Sequence, residues 1–180
     1  MRSAQDVISF WFVEHSKEDW FDGKAEFDTA LSQRFADTHR HVALGEAWQW
    51  RETAEGRLAE IIVLDQFSRQ LHRGSSDAFA QDKMALALAQ EAIAAGADQT
   101  LELERRMFVY MPFMHAESLP IQEEGVKLFG QFDPDLQKFM TSHRDTIARF
   151  GRFPFRNAAL GRTSTPDELA YMKAQGDRAF

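Results

Sequence analysis

The chain of 180 residues contains no cysteine. That absence removes disulfides, thiolate metal sites and cysteine nucleophiles, and nothing in the composition calls for an oxidising compartment, so a cytoplasmic location is the simplest expectation. Strand signals are nearly missing: the one β-branched apolar cluster, Ile61-Ile62-Val63, lies in a longer segment of helical period. Long apolar runs are missing too, since the best candidates are interrupted by Asp65 and by Arg105 and Arg106, well short of the roughly 18 residues of a membrane span. Residues 1–14 hold one basic residue and no small-residue cleavage site, which does not read as a signal peptide. An excess of positive charge is also lacking. Twenty-eight acidic residues face 21 basic ones, for a net charge of -7, whereas a nucleic-acid groove is basic. Neither a membrane nor a nucleic acid is therefore an expected partner.

What is present is the balance of a soluble globular protein, 44% hydrophobic and 27% charged. The length suits one domain, and no linker or low-complexity tract divides it, so a single helical domain over 1–180 is expected. Apolar periodicity predicts helices from Ala4 to Val13, Ala25 to Ala43, Glu55 to His72, Ser76 to Ala95, Leu101 to His115, Ile121 to Phe129, Asp135 to Phe150 and Pro166 to Gln175. Gly74, Gly96 and Gly151 follow periodic runs, where left-handed C-cap residues belong. Thr165, Pro166 and Glu168 form the pattern of a capping box with proline at the first helical position. Pro112, inside an apolar run, is expected to kink or end its helix. The small-residue runs Ala85–Ala89 and Ala92–Gly96 suit packed helix pairs, but no 34-residue repeat recurs. The fold expected is all-α, built from antiparallel helix pairs.

Ionisable residues on apolar stripes carry the functional signal. Leu58, Ile62, Asp65, Arg69 and His72 fall near one line of a helix whose other stripe, Val63, Phe67 and Leu71, is apolar. Asp65 and Arg69 are thus expected to be buried, either as an ion pair locking two helices or as part of a site. His143 sits mid-stripe between Phe139, Met140 and Ile147, and His115 follows Phe108 and Met111 at helical spacing, with Glu117 two residues on. Both histidines are expected to point inward, as satisfied core residues or as acid-base groups. No HExxH-type spacing supports zinc, so neither a metal nor another cofactor is assigned. From Thr141 to Arg162 the chain carries Arg144, Arg149, Arg152, Arg156 and Arg162 against Asp145 alone, a local net charge of +4 in a chain otherwise at -11. Guanidinium forks around Gly151, Pro154 and Gly161 suit phosphate or carboxylate, or else pair with the acidic surface. The aromatics Phe10, Trp11, Phe12, Trp20, Phe21 and Phe27 read as core, and the acids among them, Asp22 included, as a solvated face.

Four ordered motifs resemble an uncharacterised bacterial family, the domain of unknown function nine-two-four. They are Ile8-Ser9-Phe10-Trp11-Phe12; Leu64-Asp65-Gln66-Phe67-Ser68-Arg69 with Arg73-Gly74; Tyr110-Met111-Pro112-Phe113-Met114-His115-Ala116-Glu117; and Arg149-Phe150-Gly151-Arg152-Phe153-Pro154-Phe155-Arg156-Asn157. The resemblance implies a tetratricopeptide-like right-handed superhelix without regular repeats, and brings no established activity. Its motif residues here are Asp65, Gln66, Arg69, Arg73, His115, Glu117, Gln122, Arg152, Arg156 and Asn157. Phe155 stands where the family often has histidine, which weighs further against a metal, and Ala116 where serine is usual. Stripe geometry and resemblance together suggest a pocket for a small anionic ligand lined by Asp65, Gln66, Arg69, Arg73, Gln122, His143, Arg152, Arg156 and Asn157. A peptide- or protein-binding groove is the alternative. A hydrolase using His115 and Glu117 is the third reading.

Overall fold

The computed structural model describes residues 1–21 and 24–176, with only the backbone of Phe21, so Asp22 and the Phe21 side chain lie outside the described residues. The chain is all-α, and no strand occurs among those residues. Among the described residues ten α-helices follow in order: α1 (Ala4–Ser9), α2 (Lys17–Phe21), α3 (Ala25–Ala43), α4 (Ala54–Ile62), α5 (Ser68–Leu71), α6 (Asp82–Ala94), α7 (Leu103–His115), α8 (Leu119–Phe129), α9 (Pro134–Phe150) and α10 (Pro166–Gln175). No helix among the described residues is long and apolar enough to cross a membrane.

Local chemistry explains the boundaries. Ser3 and Asp6 cap α1 reciprocally, and Thr165 and Glu168 do the same for α10. Asp133 accepts from the amides of Asp135 and Leu136 at the start of α9, which ends on Gly151 at φ 69°, a conformation favouring glycine. Two predicted helices are more complex than their periodicity suggests. The first continues from α1 into a π-helical turn, Phe10–Glu14, and the third is α4 and α5 joined through another, Val63–Phe67. A π-turn accommodates an extra residue, which rotates the side chains that follow relative to a plain 3.6-residue period. Among the described residues four short helices went unanticipated, α2 and the 3-10 turns Trp48–Glu52, Asp98–Thr100 and Pro154–Arg156, because a single turn carries too few residues to show a period. Pro112 does not end its helix: α7 runs on to His115. Proline lies so near the C-terminus there that only the last turn is affected by the missing N–H.

The chain folds as two compact units, Met1–Arg73 with Asp77–Pro112, and Gly74–Ser76 with the residues from Phe113 onward. In the first, α1 packs on α4, α4 on α6 and α3 on α5. Its centre is aromatic. Trp11 stacks on Trp20 at 5.4 Å and meets Phe108 edge-on at 5.5 Å, while Phe10, Phe35 and Phe67 form a second cluster. The Trp20 indole N–H donates to the Trp11 carbonyl at 2.9 Å, so ring burial and hydrogen bonding select the same geometry. In the second unit α8 packs on α9. Gly125 lies at their contact, where a Cβ would stand 2.6 Å from Met140 Cε, the movable end of a flexible side chain.

Gly56, near the start of α4, is the most closely confined of the described glycines in the first unit. A Cβ there would stand 1.9 Å from the Trp50 carbonyl oxygen and 2.8 Å from its carbon. The obstruction is backbone and cannot rotate aside, so Gly56→Ala should cost about 3 kcal/mol, the upper part of the overpacking range. Urea unfolding measures it, and an unchanged midpoint would refute the close approach.

Candidate functional site

The residues expected to form a site divide between the two units. Asp65, Gln66, Arg69 and Arg73 belong to the first. Asp65 lies in the π-turn with its side chain 1% exposed, and Arg69 Nη1 approaches its Oδ1 at 3.1 Å. The same guanidinium donates to the Asp65 carbonyl at 2.6 Å and reaches Asp82 Oδ1 at 3.0 Å. Burial works against the charge of Arg69, but Asp65 and Asp82 raise its pKa. Gln66 donates to Asp65 Oδ2 at 2.5 Å and to Met111 Sδ at 3.5 Å. Arg73 grips Asp28 with two hydrogen bonds, of 2.6 and 3.1 Å. These polar groups are spent on one another, joining α5 to the start of α6 and to α3.

In the second unit the remaining residues form a ladder of alternating charge. Both oxygens of Glu117 accept from Arg162, at 2.7 and 2.9 Å, and Oε1 also accepts from the Phe153 amide at 2.7 Å. Burial alone would raise the Glu117 pKa, but Arg162, the Phe153 amide and the charge of Arg156 hold it below the ordinary carboxylate range. Arg162 Nε donates to Asn157 Oδ1 at 2.9 Å, and Asn157 Nδ2 donates to Glu168 Oε2 at 3.3 Å. Arg152 closes the ladder with a fork on Glu168, at 2.6 and 2.9 Å. The Arg152 hydrogen bond is the main cause holding Glu168 down to about 2. Arg156 is buried with its guanidinium 4.6 Å from the Phe153 ring centre. Arg144 and Arg149 pair with Asp145 and Asp167. Arg144, Arg149, Arg152 and Arg162 thus each meet a carboxylate inside their own unit.

Three further residues are placed by backbone contacts. Gln122, fully buried, donates to the carbonyls of Met114 and Ala116 at 2.6 and 2.8 Å, closing the end of α7. His143 is buried, its Nδ1 2.9 Å from the Phe139 carbonyl and its ring edge-on to Phe139 and Phe153. His115 is half-buried at the end of α7. Glu117 is held ionised by three donors, which makes it an anchor for the loop at Phe153 and a poor proton carrier. Among the described residues no three His, Asp or Glu side chains gather as a metal site would require.

Sequence reasoning passed over a cleft of 570 Å³ in the first unit, between α3 and the end of α5, lined by Ser32, Ala36, His39, Arg40, Leu71 and His72 among others. His39 Nε2 lies 2.8 Å from Ser68 Oγ, and that hydroxyl donates to the Leu64 carbonyl at 2.6 Å. With its proton committed to Leu64, Ser68 Oγ accepts from His39 Nε2–H. The neutral ring therefore keeps its lone pair on Nδ1. The serine is accordingly a hydrogen-bond acceptor and no nucleophile. Burial, and then the neighbouring His72 ring at 5.3 Å, push the His39 pKa down to about 4. The sequence carried one overlooked signal: Ser32, Ala36, His39 and Ala43 recur at helical spacing, a small-residue face with one imidazole in it.

Two measurements test these assignments. Replacing Arg69 with methionine leaves Asp65 buried without its cation, and should cost roughly 3 to 5 kcal/mol in denaturant melts; a loss under about 1 kcal/mol, the exposed-pair range, would contradict the burial. His39 is a pH-sensitive group of the first unit. Its folded pKa lies below its ordinary 6.5, so the unfolded chain binds the extra proton and stability falls as pH drops through the interval from 6.5 to about 4. Between pH 7 and 5 that loss should be about 2 kcal/mol, and His39→Gln, which keeps a donor for Ser68, should remove it. Glu168 acts lower and through the second unit: its contribution is present above 4.5 and lost as pH falls toward about 2. Amide exchange in α10 reads it, and Glu168→Gln should abolish that acid dependence.

Residues 7–176 match the family model described as a bacterial protein of unknown function, DUF924. A solved structure, that of the protein of unknown function ATU0120 from Agrobacterium tumefaciens, is 38% identical with a TM-score of 0.91, over 95% of this chain and 97% of that one. No curated protein matches the chain. The similarity extends over the π-turn, the arginine-rich segment and the α3 cleft alike, and the chain belongs to the bacterial DUF924 family.

Proposed function

We propose that this protein binds a small anionic molecule with an apolar body, in the cleft between α3 and α5. The observation that carries the reading is the His39 ring: a buried, neutral imidazole that lines an open cleft and whose Nδ1 hydrogen-bonds to no described residue. An acceptor without a protein donor at the wall of an open cleft is available to a ligand or to water. Around it the walls are apolar, from Ala36, Ala43, Leu44 and Leu71. Arg40 supplies the positive charge. Its contact with Asp37 uses one Nη2–H at 2.6 Å, leaving other guanidinium donors for an anion. An aromatic hydroxy acid meets all three requirements, with a ring for the walls, a hydroxyl donor for His39 and a carboxylate for Arg40.

This location differs from that of Arg152 and Arg162 in the arginine-rich segment, whose guanidinium groups hold Glu168 and Glu117 in two-point forks. An anion there would have to displace Glu117 or Glu168 from a two-point fork. The hydrolase reading has less support for a related reason, since Glu117 accepts three hydrogen bonds and is held ionised. A cysteine-free chain fits a cytoplasmic ligand.

Isothermal calorimetry with 4-hydroxyphenylacetate, and with tyramine as its cationic counterpart, tests the reading. One saturable site is expected for the acid and none for the amine. Arg40→Met should weaken the acid about tenfold, in the range of a charged hydrogen bond. Equal binding of acid and amine, or no saturable heat with the acid, would overturn the proposal.

A further inference from the structure

The cleft at His39 holds a second imidazole. His72 follows α5, its amide donating to the Ser68 carbonyl at 3.1 Å, and its half-buried ring lines the same cleft with its centre 5.3 Å from that of His39. Neither nitrogen of the His72 ring hydrogen-bonds to a described residue. The two rings differ in where a proton's charge would lie. His39 is buried and donates through Nε2 to Ser68, so a charge on it enters the interior. His72 is the more exposed ring, and a charge there stays partly hydrated.

The groups around His72 decide what could hold such a proton. From α3 the cleft receives His39 and Arg40, and from the start of α6 it receives Gln81. Asp82, next to Gln81, is taken up by Arg69 at 3.0 Å, and Arg69 also faces Asp65. Arg73, beside His72 in the chain, is held by Asp28. Among the described residues no Asp or Glu lines the cleft, in a chain whose net charge is -7. Its one arginine, Arg40, has a side chain 66% exposed and shares charge with Asp37. An entering anion is thus met by a solvated, partly neutralised guanidinium, and itself supplies the carboxylate that the walls lack. A carboxylate brought close to an imidazole favours the protonated ring.

Resting on the ligand reading of this cleft, we propose that the acid is taken up together with a proton, which His72 carries. The carboxylate meets Arg40 and the His72 imidazolium, while His39 stays neutral and accepts from the ligand hydroxyl. The proton comes from solvent and returns to it when the acid leaves. Imidazole is the side chain that changes charge near neutral pH, so His72 sets the pH dependence of binding. Because binding consumes a proton, affinity is highest on the acid side and falls as pH rises. A ligand without the carboxylate offers that proton no partner.

Calorimetry of the full chain with 4-hydroxyphenylacetate between pH 6 and 8, in PIPES and in Tris, tests the coupling, since the two buffers differ in ionisation enthalpy. The observed enthalpies should differ by the uptake of up to one proton per acid bound, and the affinity should fall about tenfold from pH 6 to 8, as a pKa displaced by about one unit requires. His72→Gln should abolish the buffer dependence and flatten the pH profile at weaker affinity. His72→Lys, a fixed cation, should flatten it at the affinity the native chain shows at pH 6. His39→Gln should weaken the acid and leave the proton uptake in place. In the native chain the His72 ring resonances, assigned by through-bond NMR, should titrate at higher pH with the acid bound. If the acid binds with equal enthalpy in both buffers, or if the buffer dependence survives in His72→Gln, the proton is not on His72 while the cleft reading stands. If the acid gives no saturable heat, both readings fall together.

Discussion

Carboxylates carried into the interior of this protein need partners, and at three of them the partner is a guanidinium from which much of the architecture follows. Asp65, Glu60 and Glu168 are all essentially buried, and each faces an arginine reaching in from a neighbouring segment, namely Arg69, Arg51 and Arg152. The planar fork matters because it satisfies two carboxylate lone pairs in one rigid contact, which lysine does not. Each pair connects pieces that apolar packing alone would leave free to slide: Arg51 ties the 3-10 turn at Trp48–Glu52 to α4, Arg69 ties α5 to α6, and Arg152 ties the end of α9 to α10. Apolar burial supplies most of the driving force, and the ion pairs select among packings.

The same requirement explains why the motif residues do not resemble an enzyme's reacting groups. A catalytic acid or base needs a pKa near the working pH and at least one uncommitted oxygen or nitrogen. Glu117 and Glu168 are pulled the opposite way, below the ordinary carboxylate range, by the groups that hold them in place. His39, whose pKa burial lowers and whose Nδ1 hydrogen-bonds to no described residue, lies outside the four motifs. Asp65, Arg69, Arg73, Glu117 and Arg152 hold segments together through their ion pairs.

Much of the fold was legible in the sequence because helices announce themselves by period and by their ends. The Thr165-Pro166-Glu168 start, the Gly151 stop and the twin burial of the helix through Asp65 all follow from residue type and spacing. The Asp65–Arg69 pair was legible for the same reason, since i and i+4 share a face. What was not legible depends on segments meeting. Whether the arginines between 141 and 162 point at a ligand or at carboxylates turns on Glu117 and Glu168, one of them far away in sequence. The π-turn at Val63–Phe67 has no composition of its own, and the His39 cleft exists only because α3 and α5 leave a gap. A lone histidine on a long helix gives little warning of that.

The stacked pair Trp11 and Trp20 also shapes how the molecule can be watched. All four tryptophans, at positions 11, 20, 48 and 50, belong to the first unit, and none to the second. Indole emission is therefore a private channel of one unit, in which the near-parallel rings of Trp11 and Trp20, 6° apart, quench and couple so long as their core is intact. Within the second unit Tyr171 is the sole phenol, set against Phe150. Excitation at the red edge of the absorption band addresses the indoles alone, so loosening in the first unit separates spectrally from loosening in the second without any label being attached.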